Sequence, residues 1–396
     1  MKKLLLSVIT ALFILNCSAD SEVSELINPS GENSSLSRLY TDNEGVVYLN
    51  WVEEANDLAT LYYSKYIDNT WTKPVTISSS DNWFVNWADF PSVIGYDGNL
   101  IAAHWLKKIP GNRYSYNVEV AGFKDNFISE PIVPHTDSTA TEHGFVSMVA
   151  LNDTSYYSIW LDGRNTSGGH GEHGDLSSAM TLRGALISIS GELLQESEID
   201  ISVCDCCNTS LAKTSTGLIA AYRDRTSDEI RDIYTSKFEN EVWETPKAVF
   251  NDNWEIAACP VNGPSIDVNG QSAGVAWFTM LNDKGAVKVA FSDDEGDTFS
   301  SPVIIDSDNP LGRVDLISNN DGSVWVSWIT RFGDSANLEL RKISKKGETL
   351  NSHTISSINP SRGSGFPQIT RHKKGVMISW TELTEDSKRI RTSILQ

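Results

Sequence analysis

The stretch Val324-Trp325-Val326-Ser327-Trp328 decides the fold, because similar stretches recur along the chain. Each copy is a short apolar run that ends in an aromatic residue, and most copies follow a turn signal such as Asp321-Gly322. The terminal aromatics are Trp51, Trp105, Trp160, Tyr222, Trp277, Trp328 and Trp380. They are separated by 54, 55, 62, 55, 51 and 52 residues. A fixed period of this length is the signature of a repeat architecture.

A second element keeps the same phase about 20 to 22 residues after the aromatic, at Trp71, Trp243, Phe299 and Leu350. Repeats of this size that hold four short strands each are typical of propeller blades. The sequence therefore predicts an all-β protein, a single β-propeller of four-stranded blades. Seven copies favour seven blades, with six as the alternative.

The last repeat is incomplete, because too little chain follows Trp380 for a fourth strand. The segment Ser24-Glu25-Leu26-Ile27-Asn28-Pro29-Ser30 resembles Ser356-Ser357-Ile358-Asn359-Pro360-Ser361, the end of the preceding unit. We predict that this N-terminal segment supplies the missing outer strand and closes the ring, which removes an open sheet edge. No Pro/Gly/Ser-rich linker interrupts the repeats, so residues 23–396 are expected to form one domain.

Composition excludes several classes of protein. The 396 residues carry a formal net charge of −20, with a pI near 4.7. Such a chain lacks the basic surface that nucleic-acid phosphates or an anionic membrane would require. Hydrophobic residues make up 40% of the sequence, enough to bury a sizeable core, so global disorder is also excluded.

The N-terminus has the form of an export signal. Met1-Lys2-Lys3 is followed by twelve largely apolar residues, Leu4 to Leu15, too few to span a bilayer. The ending Ile14-Leu15-Asn16-Cys17 resembles the bacterial lipoprotein cleavage box, from which it departs at Asn16. We predict a signal peptide over 1–16, lipidation of Cys17, a short tether over 17–22 and attachment to the cell envelope. The alternative is cleavage nearby without a lipid.

One segment carries a family resemblance. Ser292-Asp293-Asp294-Glu295-Gly296-Asp297-Thr298-Phe299 matches the Asp-box pattern in full, and degenerate copies lie at Ser64 to Trp71 and Ser236 to Trp243. Over residues 23–396 the protein resembles the sialidase-like (BNR/Asp-box) β-propeller superfamily. In that superfamily the Asp box is a structural turn between the third and fourth strands of a blade. Known sialidases have six blades, one fewer than the units counted in this sequence.

Unusual polar residues share two phases of the repeat, just after the aromatic and about 14 to 18 residues before the next one. In a propeller both phases lie on one face, at the mouth of the central channel, where loops on a rigid scaffold carry function. The candidate ligand-binding residues there are Arg164, Arg223, Arg225, Arg231, Arg313, Asn262 and Trp254. Aromatic residues Trp83, Phe84 and Trp87 lie on another such loop and suit either sugar stacking or interblade packing.

The resemblance implies a role for three of the arginines. Sialidases grip the sugar carboxylate with three arginines, and Arg164, Arg223 and Arg313 look like a counterpart. Arginine suits this role because its planar fork donates two charge-assisted hydrogen bonds. The alternatives are structural pairing within the alternating Arg/Asp loop Arg223 to Asp232, or a solvated surface.

Carboxyl groups at the mouth supply candidate catalytic acids, namely Asp162, Asp224, Glu229 and Asp232, with Asp315 as a further one. The resemblance implies a tyrosine nucleophile. Tyr222 precedes Arg223 but should point to the opposite face of its strand. The N-terminal Phe/Tyr-Arg-Ile-Pro signature of sialidases is absent.

The cysteines are the sharpest anomaly. Besides Cys17 there are Cys204, Cys206, Cys207 and Cys259, and an exported chain is expected to oxidise them. We predict a disulfide from Cys259 to one of the other three. The alternative is a thiolate site for copper or zinc, with His170 and His173 as further ligands.

Three functions remain open from the sequence. The first is an envelope protein that binds, and if catalytic hydrolyses, an acidic sugar of the sialic-acid kind. The second is a non-catalytic propeller that binds a glycan or a protein, and the third is a Cys/His metal or redox protein. We predict a monomer with an acidic glycan as partner, a lipid anchor, no nucleic acid and no cofactor, with copper or zinc as the alternative.

Overall fold

The computed structural model describes residues 22–125, 127–166, 175–373, 375–385 and 387–396. These residues form seven antiparallel sheets, one for each repeat of the sequence. The protein is a seven-bladed β-propeller, so the predicted fold class is confirmed and the six-bladed alternative is wrong.

The strands follow the chain from blade to blade, after an initial strand β1 (Val23–Glu25) that belongs to the last blade. Blade 1 holds β2 (Ser34–Thr41), β3 (Val47–Ala55), β4 (Leu58–Ile67), β5 (Thr70–Trp71) and β6 (Val75–Ser80). Blade 2 holds β7 (Ser92–Tyr96), β8 (Asn99–Lys108), β9 (Tyr116–Lys124) and β10 (Phe127–Ile128). Blade 3 holds β11 (His143–Ala150), β12 (Ser155–Asp162), β13 (Met180–Ser188) and β14 (Leu193–Val203).

The second half of the ring repeats this arrangement. Blade 4 holds β15 (Ser210–Lys213), β16 (Leu218–Arg223), β17 (Ile233–Glu239), β18 (Val242–Trp243) and β19 (Lys247–Ala248). Blade 5 holds β20 (Ser265–Asn269), β21 (Ser272–Leu281), β22 (Lys284–Ser292) and β23 (Val303–Asp306). Blade 6 holds β24 (Pro310–Ser318), β25 (Val324–Phe332), β26 (Ser335–Ile343) and β27 (Thr349–Ile358). Blade 7 holds β28 (Gln368–His372), β29 (Gly375–Leu383) and β30 (Lys388–Leu395).

The N-terminal strand closes the ring as predicted. Strand β1 pairs antiparallel with β30, with Val23 opposite Leu395 and Glu25 opposite Ser393. Blade 7 is thereby completed by a strand from the other end of the chain. The ring is closed by backbone hydrogen bonds, and the edge of β30 is covered.

The seven repeated aromatics form the core between the blades, and each is at most 5% exposed. Six of them donate a hydrogen bond to a carboxylate, such as Trp51 Nε1 to Glu53 at 2.8 Å and Tyr222 Oη to Asp200 at 2.6 Å. In blades 4, 5 and 6 this acceptor comes from the end of the preceding blade, as for Trp328 and Asp306 at 2.6 Å. The aromatic of the repeat thus combines an apolar core position with a polar anchor, which in blades 4, 5 and 6 also links neighbouring blades.

The segment Ser292 to Phe299 forms the turn between β22 and β23, the third and fourth strands of blade 5. Asp294 accepts hydrogen bonds from Thr298 N at 2.9 Å and Thr298 Oγ1 at 2.6 Å. Its carboxylate therefore holds the turn together, as expected, and is not at the mouth of the ring.

The predicted signal peptide and Cys17 lie outside the described residues, so export and lipidation stay predictions. Within the described part of the chain, no helix has the length and apolar character needed to cross a membrane.

Candidate functional site

The candidate residues lie on one face of the ring, which we call the mouth. Because neighbouring strands are antiparallel, the loop between the second and third strands of a blade opens at the same end as the loop that enters the next blade. The mouth includes residues 163–166 and 175–179 and the interstrand loop 224–232. It also includes the entry loops 81–91, 204–209, 249–264 and 359–367.

Entry loops from distant blades meet at the mouth. Asn208 donates from Nδ2 to the carbonyl oxygen of Ala88 at 2.7 Å, although the two residues are 120 positions apart. A Cβ on Gly263 would lie 1.9 Å from the Asn208 carbonyl oxygen, so only glycine allows this approach. Asn262, a predicted ligand-binding residue, accepts from Arg313 N through Oδ1 at 2.7 Å. Asn262 therefore has a structural role between blades.

Arg164 and Asp162 form a local pair in blade 3. Arg164 donates from Nε to Asp162 at 2.8 Å and from Nη2 to Glu196 at 2.9 Å. Asp162 also accepts from Trp160 Nε1 at 2.9 Å and is fully buried. Burial alone would raise the pKa of Asp162. These hydrogen bonds and nearby charges nevertheless hold that pKa below its usual value. Asp162 therefore binds Trp160 of its own strand and Arg164, and its role as a general acid stays a prediction.

A second polar group in blade 3 was not anticipated from the sequence. Asp137 lies 2.7 Å from His135 Nδ1 and 3.2 Å from His143 Nε2, and the two imidazoles are stacked with centroids 3.8 Å apart. Burial lowers the pKa of His135. The sequence signal was weak, because His135 and Asp137 lie outside the two phases of the repeat and only His143, 17 residues before Trp160, lies inside one. His170 and His173, the predicted metal ligands from this blade, lie outside the described residues.

The Arg223 side chain is buried, and its partners are backbone carbonyl oxygens. Its guanidinium donates to the carbonyls of Asn262 at 2.8 Å, Phe278 at 2.7 Å and Arg231 at 2.5 Å. Its Cζ lies 4.8 Å from the ring centroid of Trp254, which is also buried. The predicted ligand contacts Arg223 and Trp254 thus hold the loops 224–232 and 249–264 to strand β21 of blade 5.

Glu229 organises the rest of this loop. One carboxylate oxygen accepts from Arg225 Nη2 at 2.9 Å and the other from Arg231 Nη2 at 2.7 Å. Both arginines are at most 1% exposed. The structural pairing that the sequence left open is the one the structure forms, and Glu229 is engaged by two cations.

Of the remaining predicted acids, Asp224 and Asp232 are buried and Asp315 is half-buried. Burial, followed by repulsion from Asp200, raises the pKa of Asp224 to about 8. Asp232 accepts from the backbone N–H groups of Asn253 at 2.9 Å and Trp254 at 3.1 Å. Burial likewise raises the pKa of Asp315 to about 6. No contact among the described residues identifies any of these carboxyls as facing a substrate. Their catalytic roles therefore stay predictions.

Arg313 resembles Arg223 in donating to backbone carbonyls beside a tryptophan ring, but it has a second arginine near the same ring. It donates to the carbonyl oxygens of Ser361 and Gly365, both at 3.1 Å, and its Cζ lies 4.9 Å from the ring centroid of Trp87. Arg362 lies near the same ring, at 5.7 Å. Burial, followed by repulsion from Arg362, lowers the pKa of Arg313 to about 10. Among the described residues neither arginine forms an ion pair.

Sequence reasoning missed Arg362, although a signal was present. Arg362 lies 18 residues before Trp380, inside the window that located Arg313. The segment 359–367 that carries it contains no acidic residue. An arginine in an acid-free entry loop is thus a better indicator of an available cation than one in an alternating Arg/Asp loop.

The cysteines come together as a cluster at the end of β14. One sulfur from each of Cys204, Cys206 and Cys207 lies within 4.8 Å of the others, and all three side chains are buried. Cys204 Sγ and Cys207 Sγ are 3.3 Å apart. Cys259 is exposed, and hydrogen bonds of Cys206 with Cys204, Cys207 and Cys259 raise the pKa of the Cys206 thiol.

The disulfide predicted for Cys259 is not formed in the structure, where the four described cysteines are thiols. Cys206 is the neighbour that Cys259 contacts, and the pairing stays a prediction. Arg231 Nη1 donates to Cys204 Sγ at 3.3 Å, which links the sulfur cluster to the Glu229 network.

No protein-family model matches the chain, and no curated protein is detectably similar to it in sequence. Solved structures do match. A protein of unknown function from Dyadobacter fermentans aligns over 95% of this chain and 98% of its own, with a TM-score of 0.50 and 13% identity.

Two further solved structures are sialidases by their printed names. The phage phi92 endosialidase aligns over 95% of this chain and 69% of its own, with a TM-score of 0.52 and 9% identity. A Hadza microbial sialidase aligns over 75% of this chain and 63% of its own, with a TM-score of 0.45 and 14% identity. The resemblance to sialidase-like propellers is confirmed for the fold, and at these identities it extends to the fold alone.

Proposed function

We propose that this protein binds a carboxylate-bearing ligand of the acidic-sugar class at its mouth, with Arg313, Arg362 and Trp87 as the contact residues. The observation that carries the proposal is the position of two guanidinium groups near one indole, at 4.9 and 5.7 Å, without an ion-pair partner among the described residues. The chain has a net charge of −20, so two neighbouring cations without acids form a locally positive place on an acidic protein.

Electrostatics supports an anionic ligand. Two like charges in a partly desolvated place repel each other, and a bound carboxylate would neutralise that repulsion. Arg362 is exposed and has no side-chain hydrogen bond within the described residues, so its fork is available to a ligand. Charge-assisted bonds of this kind contribute roughly 1.5–3 kcal/mol each.

The surroundings supply aromatic surface for a sugar ring. Trp87 stacks on Phe366, with ring centroids 5.6 Å apart. The same entry loop continues to Trp83 and Phe84, which line a cavity of about 710 Å³ between blades 1 and 2. Arg113 and Lys108 also line this cavity. Glu54, Asp57 and Asp81 line it as well, so this cavity has mixed charge and adds aromatic surface rather than a further cationic site.

Binding without hydrolysis is the form of this function that the geometry supports. Glu229 is held by two arginines, and Asp162 is fully buried by its own partners. Tyr222 is also fully buried and donates to Asp200, as the other repeated aromatics donate to acids. The proposal therefore assigns this site to recognition. The export, lipid anchor and monomeric state predicted above accompany it as proposals.

The test is a binding measurement on immobilised sialosides and uronates, with turnover of a fluorogenic sialoside measured on the same sample. The wild-type protein should bind an acidic glycan without cleaving it, and Arg362→Gln should weaken binding at least about 10-fold, the loss of one charge-assisted bond. Arg313→Lys should also weaken binding, because the planar fork is lost while the charge is kept.

Arg341→Lys is the matched control. Arg341 lies over Trp328 at 4.8 Å in blade 6 and donates to a backbone carbonyl, as Arg313 does, but it belongs to the third strand of its blade. Equal binding by Arg362→Gln and wild type, or no acidic glycan bound by the wild type, would contradict the proposal.

A further inference from the structure

We infer that Cys204, Cys206 and Cys207 form a trigonal thiolate site for monovalent copper, with Cys259 as the thiol through which the metal enters. The site lies in the entry loop between blades 3 and 4. It is separate from the Trp87 surface and does not depend on the function proposed there.

The sulfur geometry matches a three-coordinate metal. The three sulfurs lie within 4.8 Å of one another. With metal–sulfur bonds of about 2.3 Å, a planar trigonal site requires sulfur pairs about 4 Å apart. The Cys204–Cys207 distance of 3.3 Å would have to open by less than about 1 Å, a small change for side chains on one short turn.

The surroundings act as an outer shell for thiolates. Arg231 donates from Nη1 to Cys204 Sγ at 3.3 Å. Arg231 is itself fixed by Glu229, which also holds Arg225. Three thiolates around one monovalent ion carry a net charge of −2, and Arg231 offsets part of that charge, although Glu229 and the buried Asp205 also pair with the arginines here. Partners of this kind orient the ligands of metal sites and tune them.

The ligand set favours copper over zinc. Structural zinc is almost always four-coordinate, whereas monovalent copper is a soft ion that thiolates select. Only three of the sulfurs are buried, and the fourth, on Cys259, is exposed at the rim. Cys259 contacts Cys206, the least buried of the three at 7% exposure. An ion taken up by Cys259 would thus pass to Cys206 and then to the buried pair.

The experiment is a titration of the reduced full-length protein, without oxygen, against monovalent copper held by a coloured competing chelator. We expect one equivalent of copper to be withdrawn, with sulfur-to-copper absorption in the near ultraviolet. X-ray absorption at the copper edge of the wild-type complex should count three sulfur neighbours, a result that requires no variant.

Variants then distinguish the ligands. Cys204→Ser should lose affinity by more than the roughly 10- to 100-fold that removal of an outer-shell partner causes. Cys259→Ser, the matched control, should keep the equilibrium affinity within about 10-fold and slow copper uptake. Thermal unfolding of each variant reports whether the fold is retained.

Several results would overturn the inference. The first is that the reduced wild type withdraws no copper from the chelator. The second is that X-ray absorption counts fewer than three sulfur neighbours of copper. The third is that the protein holds zinc in preference to copper and that Cys204→Ser and Cys259→Ser lose the same amount of affinity. Disulfides that persist in the purified protein, with no copper bound after their reduction, would assign the cluster to structural cross-links instead.

Discussion

The two sides of the mouth use arginine in different ways. Around blades 3 and 4, Arg164, Arg223, Arg225 and Arg231 all donate to carboxylates or carbonyls of their own protein. Between blades 6 and 7, Arg313 and Arg362 approach Trp87 without a carboxylate; Arg313 still donates to backbone carbonyls, whereas Arg362 has no side-chain hydrogen bond within the described residues. The difference follows from the loops, because residues 224–232 contain four acids whereas residues 359–367 contain none. Arginine content alone does not identify a ligand site, because acids in the same loop decide whether an arginine is paired or available to a ligand.

The largest effect is expected from breaking the paired side. Glu229→Gln would remove the negative charge that the buried Arg225 and Arg231 share. Loss of one partner of a buried ion pair costs about 3–5 kcal/mol. We expect the free energy of unfolding in urea to fall by about that amount. Glu244→Gln, which removes an exposed pair with Lys247 at 3.5 Å, should change it by less than about 1 kcal/mol.

This prediction also separates structure from catalysis. A catalytic Glu229 would lose turnover in Glu229→Gln with little change in stability. Unfolding free energies that are equal for Glu229→Gln and Glu244→Gln would show that the paired side is not structural.

A smaller, pH-dependent effect is expected at Asp89, which holds the entry loop of Trp87 to blade 3. Its carboxyl accepts from Phe145 N at 2.7 Å and lies 3.1 Å from Tyr116 Oη. Burial, with a contribution from Glu142, raises its pKa to about 8. The folded state therefore keeps a proton that the unfolded state loses above about pH 4. The free energy of unfolding should fall between about pH 4 and pH 8, by up to about 1.4 kcal/mol per pH unit.

Asp89→Asn should remove this part of the pH dependence, because the amide cannot ionise. Asp81→Asn, an exposed change in the same loop, should leave the dependence intact. Urea unfolding at several pH values between 5 and 9 measures both. A slope that is the same in Asp89→Asn and wild type would place the titration elsewhere.

The smallest effect is expected on the open side. Arg362→Gln removes an exposed cation that forms no ion pair within the described chain, so the free energy of unfolding should change by no more than about 0.5 kcal/mol. Relief of repulsion on Arg313 gives the change a stabilising sign, and thermal unfolding at low salt is the sensitive measurement. A loss greater than about 1 kcal/mol would make Arg362 structural and end the contrast between the two sides.

Much of the fold could be predicted because its signals are local. The period that ends at Trp328, the turn at Asp294 and the N-terminal echo of the blade end each lie within a few residues of sequence. They predicted seven blades and closure by an N-terminal strand from the segment at Ser24 to Ser30; the structure has seven blades, and the closing strand is Val23–Glu25. Repetition makes such signals reliable, since seven copies must satisfy the same packing.

Whether each candidate residue is paired within the protein or available to a ligand was decided by the tertiary structure. The same residue type, arginine at the mouth, becomes a loop clamp at Arg223 and an available cation at Arg362, depending on which carbonyls and acids other blades bring near. The sequence by itself determined the ring, the phase of the mouth loops and the presence of four cysteines near them. Only the folded ring decided that three of those sulfurs are buried together and that Glu229 is shared by two arginines. The physical reason is distance along the chain: contacts such as Asn208 to Ala88 join segments 120 residues apart, and no local pattern encodes them.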